Sequence, residues 1–486
     1  MKIYIKNHNY HYEIENLTRI FFPNDKLEVT REQTELLEIP YIYTELSQGE
    51  SENKVSVSVC IDGETASAEK LVSGNEDAEL TMALALFEIL KGITNINPPW
   101  GVLTGVRPIK LFRRLAKDGG LNSAKETFLN NFKVSQEKTD LSVETEQNES
   151  KIIALSRPES FSLYISVPFC PSRCSYCSFV SASVERTKHL VQPYVDLLCR
   201  EIELTAGYAK KLGLRLESVY MGGGTPTTLN AQQLDRVLNT VKASFDMTHC
   251  REFTVEAGRP DTITRDKLAA IIGCGVDRIS INPQTLNDEI LKIIGRRHTA
   301  EQTLDAFTLA RKLGFNHINM DLIAGLPNES YNSFVATLDK ITELDPESVT
   351  IHTLSMKRSS NLTQSGKELY ADEAAATAKM LSYANKKLHD NGYFPYYLYR
   401  QSRMVGNLEN TGWSKRGKEG IYNVFVMDET HTILACGAGA VSKLKDSKKD
   451  YLERIFNFKY PYEYIGRFDE LVKRKERIES FYAEYH

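Results

Sequence analysis

The chain has 486 residues, a formal net charge of -4, 41% hydrophobic residues and 26% charged residues. This length exceeds what one hydrophobic core usually supports, so we expect two or three domains in a globular protein. The charge lacks the basic footprint of a nucleic-acid-binding protein. No apolar signal core and no run of roughly eighteen apolar residues is present, so we expect a cytoplasmic protein without a membrane span.

The N-terminal part, residues 1–150, predicts a small α+β domain followed by a charged linker. Short segments of alternating hydrophobicity at 2–6 and 54–62 are typical of strands, and an amphipathic helix is predicted over 78–93. Residues 133–151 are polar and rich in charge, which favours an exposed helix end or linker.

From residue 160 onward, short apolar runs alternate with amphipathic helical segments. The six runs that predict buried strands are 161–167, 216–221, 253–257, 278–283, 317–323 and 348–354. Six successive β-then-α units predict a parallel sheet with right-handed crossovers, either open or curled toward a barrel. The polar and glycine-rich motifs of this region lie at the C-terminal ends of the predicted strands, where such barrels carry their chemistry.

Three cysteines follow the first of these strands at the spacing Cys-x3-Cys-x2-Cys: Cys170, Cys174 and Cys177. Three thiolates so close together hold one face of a cubane iron–sulfur cluster and leave one iron open. The alternatives are a structural zinc site, which needs a fourth ligand, or ordinary buried cysteines. The nearest candidate for a fourth ligand, His189, lies twelve residues after Cys177 at the start of a predicted helix. The other five cysteines are scattered singly, which argues against a disulfide framework.

The second predicted strand ends in three glycines, Gly222 to Gly224, followed by Thr225. Glycines allow the backbone to approach a ligand, so that its carbonyl and N–H groups bind an ammonium or a carboxylate. The alternative is a flexible turn.

Polar residues also mark the ends of the next three strands. Glu256 ends the third strand, where ribose hydroxyls or a salt bridge to Arg259 would satisfy a buried carboxylate; both interpretations stay open. Gln284 ends the fourth strand and Arg296 lies twelve residues later. Asp321 interrupts the apolar fifth strand, and a charge at such a place normally has a partner or a function.

The cysteine triad, with an aromatic residue before its third cysteine and Gly-Gly-Gly-Thr-Pro further on, resembles the radical S-adenosylmethionine superfamily. Over roughly residues 98–443, the chain is similar to the oxygen-independent coproporphyrinogen III oxidase group and, within it, most similar to the HemZ branch. The motifs that carry the resemblance are Tyr164 to Cys170, Gly222 to Pro226, Glu256, Gln284, Asn287 to Glu289, Gly295 with Arg296, and Asp321 to Pro327.

This resemblance implies an α/β fold. Its core, residues 155–390, is expected to be a partial, six-stranded TIM-like (β/α) barrel. An N-terminal α+β domain at 1–150 would precede the barrel, and a C-terminal mixed domain at 391–486 would cover the substrate.

The resemblance also implies two cofactors. Cys170, Cys174 and Cys177 would hold a [4Fe–4S] cluster, and the amino and carboxylate groups of S-adenosylmethionine would chelate its fourth iron. The residues implied to bind S-adenosylmethionine are Tyr164 beside the cluster, Gly223, Gly224 and Thr225 at the methionyl part, and Glu256, Gln284, Arg296 and Asp321 around the sulfonium, ribose and carboxylate. An electron from a low-potential donor such as flavodoxin or ferredoxin would cleave the cofactor, and the resulting 5′-deoxyadenosyl radical would abstract a substrate hydrogen.

The implied reaction is the oxidative decarboxylation of coproporphyrinogen III to protoporphyrinogen IX. Phe179 stands where the dehydrogenases carry a fourth cysteine, as in the heme-chaperone branch, but Tyr422 stands where that branch carries the histidine of its heme motif. A heme-binding or heme-transfer protein and a radical enzyme acting on another tetrapyrrole therefore remain alternatives. The tyrosine-rich segment 396–399 suits a flat macrocycle or a buried strand.

Overall fold

The computed structural model describes residues 1–31, 37–49, 51–74, 76–355, 371–401, 403–446 and 448–485. These residues form two compact units. The first comprises the described residues of 1–143, 371–378 and 400–409, and the second those of 144–355, 379–399 and 410–485. The C-terminal strands belong to the second unit because they pair with the strands of its sheet. The division into three domains at 1–150, 155–390 and 391–486 stays a prediction.

The first unit contains a five-stranded sheet in the order β2-β1-β3-β4-β5. Its elements are β1 (Lys2–Lys6), α1 (His11–Phe21), β2 (Glu28–Thr30), β3 (Tyr41–Ser47), β4 (Asn53–Ile61), β5 (Glu64–Val72) and α2 (Ala78–Thr94). Alternate residues of β4, namely Val55, Val57 and Val59, are buried in one apolar cluster with residues of α1 and α2. The N-terminal α+β fold is thereby confirmed.

A buried polar cluster surrounds Trp100 in the same unit. Its indole Nε1 donates to Glu409 Oε2 at 2.8 Å, and Lys138 Nζ donates to Glu409 Oε1 at 2.7 Å. The Arg400 guanidinium lies over the Trp100 ring and donates to the carbonyl of Leu103. The Glu409 carboxylate is thereby bound through both oxygens, whereas Arg400 Nε and Nη2 have no partner among the described residues.

Residues 133–151, predicted as an exposed helix end or linker, lie largely in a packed helix. After α3 (Pro108–Gly119), α4 (Leu121–Glu126) and a π-helical turn (Thr127–Asn131), helix α5 covers Gln136–Ile153. Lys138 and Glu149 are both buried despite their charge. Composition suggested solvent exposure because it does not reveal which charged residues find partners.

The second unit is built on an eleven-stranded sheet in the order β14-β15-β13-β12-β11-β10-β9-β6-β16-β17-β18. Six adjacent parallel strands form its core: β6 (Ser160–Val167), β9 (Arg215–Gly223), β10 (Glu252–Glu256), β11 (Arg278–Ser280), β12 (Ile318–Ala324) and β13 (Ser348–Thr353). The helices that follow the barrel strands are α6 (Lys188–Lys211), α7 (Ala231–Ser244), α8 (Arg265–Gly273), α9 (Asp288–Ile293), α10 (Ala300–Lys312) and α11 (Tyr331–Leu344). The predicted partial six-stranded barrel is confirmed.

The remaining elements include the strands that extend this sheet at both edges and a separate two-stranded sheet of β7 and β8. They are β7 (Phe169–Cys170), β8 (Ala182–Ser183), α12 (Ala371–Asp390), β14 (Phe394–Tyr399), β15 (Asn410–Ser414), α13 (Ile421–Asp428), β16 (Thr432–Cys436), β17 (Val441–Lys445), β18 (Leu452–Phe456), α14 (Pro461–Gly466), α15 (Phe468–Lys475) and α16 (Arg477–Tyr485). Tyr396 and Tyr397 are buried, as expected for strand residues that pack into a core. None of the described helices combines the length and apolarity that crossing a membrane requires.

Strand β16 adds a seventh parallel strand beside β6. The glycine-containing turn after β16 therefore lies at the same end of the sheet as the loop from Cys170 to Cys177, which we call the cysteine loop. Ser166, near the end of β6, donates its hydroxyl to the Ala438 carbonyl at 2.7 Å. A Cβ on Gly437, whose φ is 97°, would lie 2.4 Å from the Ser166 carbonyl oxygen. This close approach requires glycine.

A fully buried ion pair connects the same turn to the C-terminal helices. Lys475 Nζ lies 2.9 Å from Glu201 Oε1 and also donates to the Ala435 carbonyl. Glu201 Oε2 accepts from the Gly437 N–H at 2.7 Å and from the Tyr464 hydroxyl at 2.6 Å. Burial alone would lower the pKa of Lys475, but the negative charge of Glu201 raises it above the ordinary value.

We expect Lys475→Met to destabilise the protein by about 3–5 kcal/mol, because the substitution leaves the Glu201 carboxylate buried without a counter-charge. Denaturant unfolding followed by circular dichroism measures this loss. Lys292→Met is the matched control, since Lys292 pairs with Glu289 on the surface, and its cost should be about 0.5 kcal/mol or less. Equal losses for the two variants would contradict the prediction.

Candidate functional site

The cysteine loop follows β6 and is held by the turn after α9. Ser172 Oγ donates to the Gly295 carbonyl at 2.8 Å, and the Ser175 N–H donates to the Ile294 carbonyl at 3.0 Å. Cys174 is buried, whereas Cys170 and Cys177 are partly exposed. These two contacts with the turn after α9 do not use the thiols.

The three thiols lie close enough to influence one another. The pKa of Cys177 is raised to about 11, chiefly by burial and in smaller part by the neighbouring Cys174 and Cys170. Burial also raises the pKa of Cys170. Thiols in this environment lose their protons readily only when a cationic group binds them.

The cysteines do not form a site for one metal ion. Within the described ranges, no three His, Cys, Asp or Glu side chains converge on a single ion position. A closed zinc site needs four ligands around one point. A cubane cluster instead presents its irons at separate corners, which suits thiols distributed around a loop.

The three glycines at the C-terminal end of β9, Gly222 to Gly224, form a cradle beside the cysteine loop. A Cβ on Gly222 would lie 2.9 Å from the Glu256 carboxyl carbon, and a Cβ on Gly224 would lie 3.0 Å from Cys170 Sγ. Thr225, next in the chain, donates its hydroxyl to Cys170 Sγ at 3.5 Å. A side chain at either position would collide with these neighbouring groups of the protein, so the close approach of the backbone requires glycine.

Glu256 is bound to a tyrosine and not to the arginine that sequence offered as its partner. The Tyr220 hydroxyl donates to Glu256 Oε1 at 2.6 Å, whereas Arg259 binds Asp261. Loss of hydration raises the pKa of Glu256 to about 7, and the negative charge of Asp321 adds to this. The carboxyl group therefore has one oxygen engaged by the protein and an elevated proton affinity.

Three stacked tyrosines fill the barrel interior next to Glu256. The Tyr220 ring lies 4.5 Å from that of Tyr422 and 6.4 Å from that of Tyr164, and all three rings are nearly parallel. Tyr422 is supplied by α13, whose first N–H, that of Ile421, donates to Glu252. Tyr164 thus lies in an aromatic stack, and its contact with a cofactor stays a prediction.

Asp321, on β12, lies beside a histidine that the sequence analysis did not single out. His352 Nε2 is 3.6 Å from Asp321 Oδ2, and Asn319 Nδ2 donates to Asp321 Oδ1 at 2.7 Å. Burial alone would raise the pKa of Asp321, but the His352 interaction lowers it below the ordinary value. The polar end of the predicted sixth strand was the available signal for His352.

Several buried polar atoms near the end of β11 lack partners among the described residues: Asn282 Oδ1, Gln284 Oε1 and Arg296 Nε. Gln284 has a φ of 70°, an uncommon value for a non-glycine residue. Arg296 Nη1 donates to the carbonyls of Gly258 and Asn282 at 3.2 and 2.5 Å. Buried polar groups without partners cost free energy, so this region is suited to a polar ligand that supplies them.

Together these features fit the two predicted cofactors. The thiols suit a cluster, the glycine backbone lies against Cys170, and the unpaired amide oxygens of Asn282 and Gln284 can accept hydrogen bonds. The ligand assignments of the individual residues stay predictions.

Comparison with known proteins identifies the family. The radical SAM superfamily model matches residues 164–341. The chain is 38% identical over 406 residues to the oxygen-independent coproporphyrinogen-III oxidase-like protein HemZ of Bacillus subtilis, covering 82% of this chain and 81% of that protein. The chain belongs to the radical SAM superfamily. Within the superfamily it belongs to the HemZ-like group, and the prediction of a [4Fe–4S] cluster and S-adenosylmethionine as cofactors is confirmed.

Two further comparisons bear on the group. The heme chaperone HemW of Bacillus subtilis is 29% identical over 333 residues, covering 66% of this chain and 81% of that protein. Coproporphyrinogen III oxidase (HemN) from Escherichia coli has a solved structure that matches with a TM-score of 0.52 at 23% identity, covering 67% of this chain and 73% of that one. The structural match supports the fold.

We expect Gly224→Ala to cause a several-fold loss of bound iron after anaerobic reconstitution. The added Cβ would lie 2.7 Å from the Phe169 carbonyl oxygen and 3.0 Å from Cys170 Sγ, so the cysteine loop must move. Iron and sulfide analysis with visible absorbance measures the effect. Gly207→Ala, in α6 with no heavy atom within 4 Å of its Cβ, is the control and should load normally. Full loading of both variants would contradict the prediction.

We expect Glu256→Gln to stabilise the protein more at about pH 8 than at about pH 5. The pKa of Glu256 is about 7 in the fold against an ordinary 4.5, so the folded protein binds this proton more tightly than the unfolded chain does. The stability that the protonated group contributes is present below the unfolded pKa and is lost as pH rises through 7. Glutamine resembles the protonated form and keeps the acceptor for Tyr220.

Melting temperatures of the two proteins across this pH range measure the effect. Glu289→Gln, on the surface, is the control and should give a difference that does not vary with pH. A difference for Glu256→Gln that is constant with pH would contradict the prediction.

Proposed function

We propose that this protein is an oxygen-independent coproporphyrinogen III dehydrogenase, which converts two propionates of coproporphyrinogen III to the vinyl groups of protoporphyrinogen IX. The observation that carries the proposal is the juxtaposition, at one end of the barrel, of the cysteine loop, the glycine cradle and unpaired buried amides. The similarity to the HemZ protein over most of the chain supports the tetrapyrrole substrate.

In this proposal Cys170, Cys174 and Cys177 hold the cluster, and Thr225 hydrogen-bonds to the Cys170 sulfur. When bound and reduced, the cluster supplies the electron that cleaves S-adenosylmethionine to a carbon radical able to abstract hydrogen. Gly223 and Gly224 carry the backbone close to the cysteine loop, where the methionyl part binds in this proposal; the Gly224 N–H itself donates to the Val167 carbonyl at 2.8 Å.

The other predicted residues orient the nucleoside part. Gln284 and Arg296 offer an unpaired amide oxygen and an unpaired N–H among buried surroundings. Glu256 and Asp321 accept hydrogen bonds from ribose hydroxyls, with Glu256 held by Tyr220 and Asp321 by Asn319. Carboxyl groups held in this way are preorganised and need no reorganisation when the ligand binds.

The tyrosine stack of Tyr164, Tyr220 and Tyr422 closes the barrel interior below these groups. Tyr422 is almost fully buried. A dry, closed interior protects a reactive radical from side reactions with solvent. Each propionate then becomes a vinyl group by losing one hydrogen atom to the radical, one CO2 and one electron to a one-electron acceptor. We propose a low-potential protein such as flavodoxin or ferredoxin as the donor that reduces the cluster.

A second candidate is a heme-binding or heme-transfer function. The similarity to the heme chaperone HemW and the presence of Phe179 in place of a fourth cysteine favour it. Phe179 is 62% exposed, so it does not substitute for a ligand by packing into the loop. Against this candidate, Tyr422 replaces the histidine of the chaperone motif and is buried in the stack. A radical enzyme acting on another tetrapyrrole is the third candidate.

The test is an anaerobic assay of reconstituted protein with S-adenosylmethionine, a strong reductant and coproporphyrinogen III. We expect formation of 5′-deoxyadenosine that depends on the porphyrinogen, together with a tetrapyrrole product that has lost two carboxyl groups. Cys174→Ala should abolish both products and the cluster absorbance. The matched control is Cys250→Ala, a cysteine outside the loop, which should retain both.

The other outcomes separate the candidates. Cleavage of S-adenosylmethionine that ignores the porphyrinogen would favour another tetrapyrrole. Stoichiometric heme binding without cleavage would favour heme transfer, and a cluster that survives Cys174→Ala would overturn the ligand assignment.

A further inference from the structure

Arg259 is a buried arginine at the end of β10 that the proposed binding of S-adenosylmethionine does not use. Its guanidinium donates from Nε to Asp261 Oδ1 and from Nη2 to Asp261 Oδ2, both at 3.2 Å. The side chain is only 3% exposed. This two-point pairing fixes the plane of the guanidinium, because the fork of donors matches the two carboxylate oxygens.

The rest of the guanidinium is directed at the cysteine loop. Nη1 donates to the Ser172 carbonyl at 3.4 Å and to Cys174 Sγ at 3.8 Å, and Nη2 donates to Ser172 Oγ at 3.1 Å. Ser172 Oγ in turn donates to the Gly295 carbonyl. The Arg259 side chain therefore connects the loop after β10 to the cysteine loop at two residues, Ser172 and Cys174.

An ion pair that served stability alone would not need these contacts. Burying an arginine and an aspartate removes hydration that their attraction often fails to repay, so a buried pair is weak evidence for a stabilising role. The contact between Arg259 and the Cys174 sulfur places a permanent positive charge and an N–H donor beside a predicted cluster ligand. That placement has a consequence for electron transfer.

We propose that Arg259 is a positioning residue that holds the cysteine loop at Ser172 and raises the reduction potential of the cluster through Cys174. The inference rests on the proposed role of Cys174 as a ligand. Reduction adds negative charge to the cluster, and a neighbouring cation and a hydrogen bond to a ligand sulfur stabilise the reduced form. The guanidinium keeps its charge at every working pH, so this effect does not depend on protonation.

Arg296 does not duplicate the contacts of Arg259 with Ser172, although its charge acts on the same Cys174 sulfur. It also lies beside Cys174 and Tyr176, where their charges raise its pKa against the opposing effect of burial. Its Nη1, however, donates to the carbonyls of Gly258 and Asn282, so it connects the loops that follow β10 and β11. Arg259 is the one of the two that binds Ser172.

The experiment measures the reduction potential of the cluster in the reconstituted full-length protein by anaerobic redox titration followed by electron paramagnetic resonance. We expect Arg259→Gln to shift the potential to more negative values, and Arg259→Lys, which keeps the charge but not the fork, to shift it less. A tenfold fall in the ratio of reduced to oxidised cluster at a fixed applied potential corresponds to about 59 mV for one electron. Arg297→Gln is the matched control, since Arg297 pairs with Glu185 on the surface, and it should leave the potential unchanged.

The outcomes are decisive in each case. An unchanged potential in Arg259→Gln with full iron loading would overturn the proposal. If Arg259→Gln fails to hold iron, Arg259→Lys decides: a negative shift supports the role, and a wild-type potential refutes it. A purely structural role would alter melting temperature without moving the potential. Survival of the cluster in Cys174→Ala would instead show that the ligand assignment, and not the role of Arg259, has failed.

Discussion

The parallel alignment of neighbouring strands is the constraint on which the site depends. Because β6, β9, β10, β11, β12 and β13 all run in the same direction, their C-terminal ends meet at one edge of the sheet. The cysteine loop, the glycine cradle, Glu256 and Asp321 are each carried to that edge by a different strand. None of these groups is near the others along the chain, so the hydrogen bonds of the sheet ladder are what bring the chemistry together.

Several buried charged groups of the second unit lie beside a group that can carry the opposite charge. Asp261 binds Arg259, Glu201 binds Lys475, and His352 lies beside Asp321. Glu256 is different, since its hydrogen-bond partner is the neutral Tyr220 hydroxyl, which only partly offsets the loss of hydration that raises the pKa of Glu256. Glu256 and Asp321 are therefore two carboxyl groups of unlike proton affinity in neighbouring parts of one site. Such a pair allows a binding pocket to present both a neutral and an anionic acceptor.

Much of the barrel was predictable because its signals are local. Each buried strand is a short apolar run, and the motifs at 170–177 and 222–226 are contiguous in sequence. Residues that act through distant partners were not predictable. A salt bridge between Arg259 and Glu256 was one interpretation because the two residues are close in sequence. In the fold, Arg259 instead binds Asp261 and the cysteine loop. Segment 133–151 was predicted to be an exposed helix end or linker because it is rich in charged residues, some of which are buried in the fold. His352 lies in the polar end of the sixth strand, but its contact with Asp321 on the neighbouring strand becomes visible only in the fold.

The seventh parallel strand, β16, has a consequence for the order of synthesis, folding and cluster insertion. Ser166, just ahead of the cysteines, is bonded to Ala438, and the turn at Gly437 is bonded through Glu201 to Lys475. When the ribosome has just synthesised the cysteine loop, Glu201, Ala438 and Lys475 have not yet been made. The nascent barrel therefore emerges with an open edge at β6, and the cluster can be inserted into its finished binding site only after translation has reached the last helices.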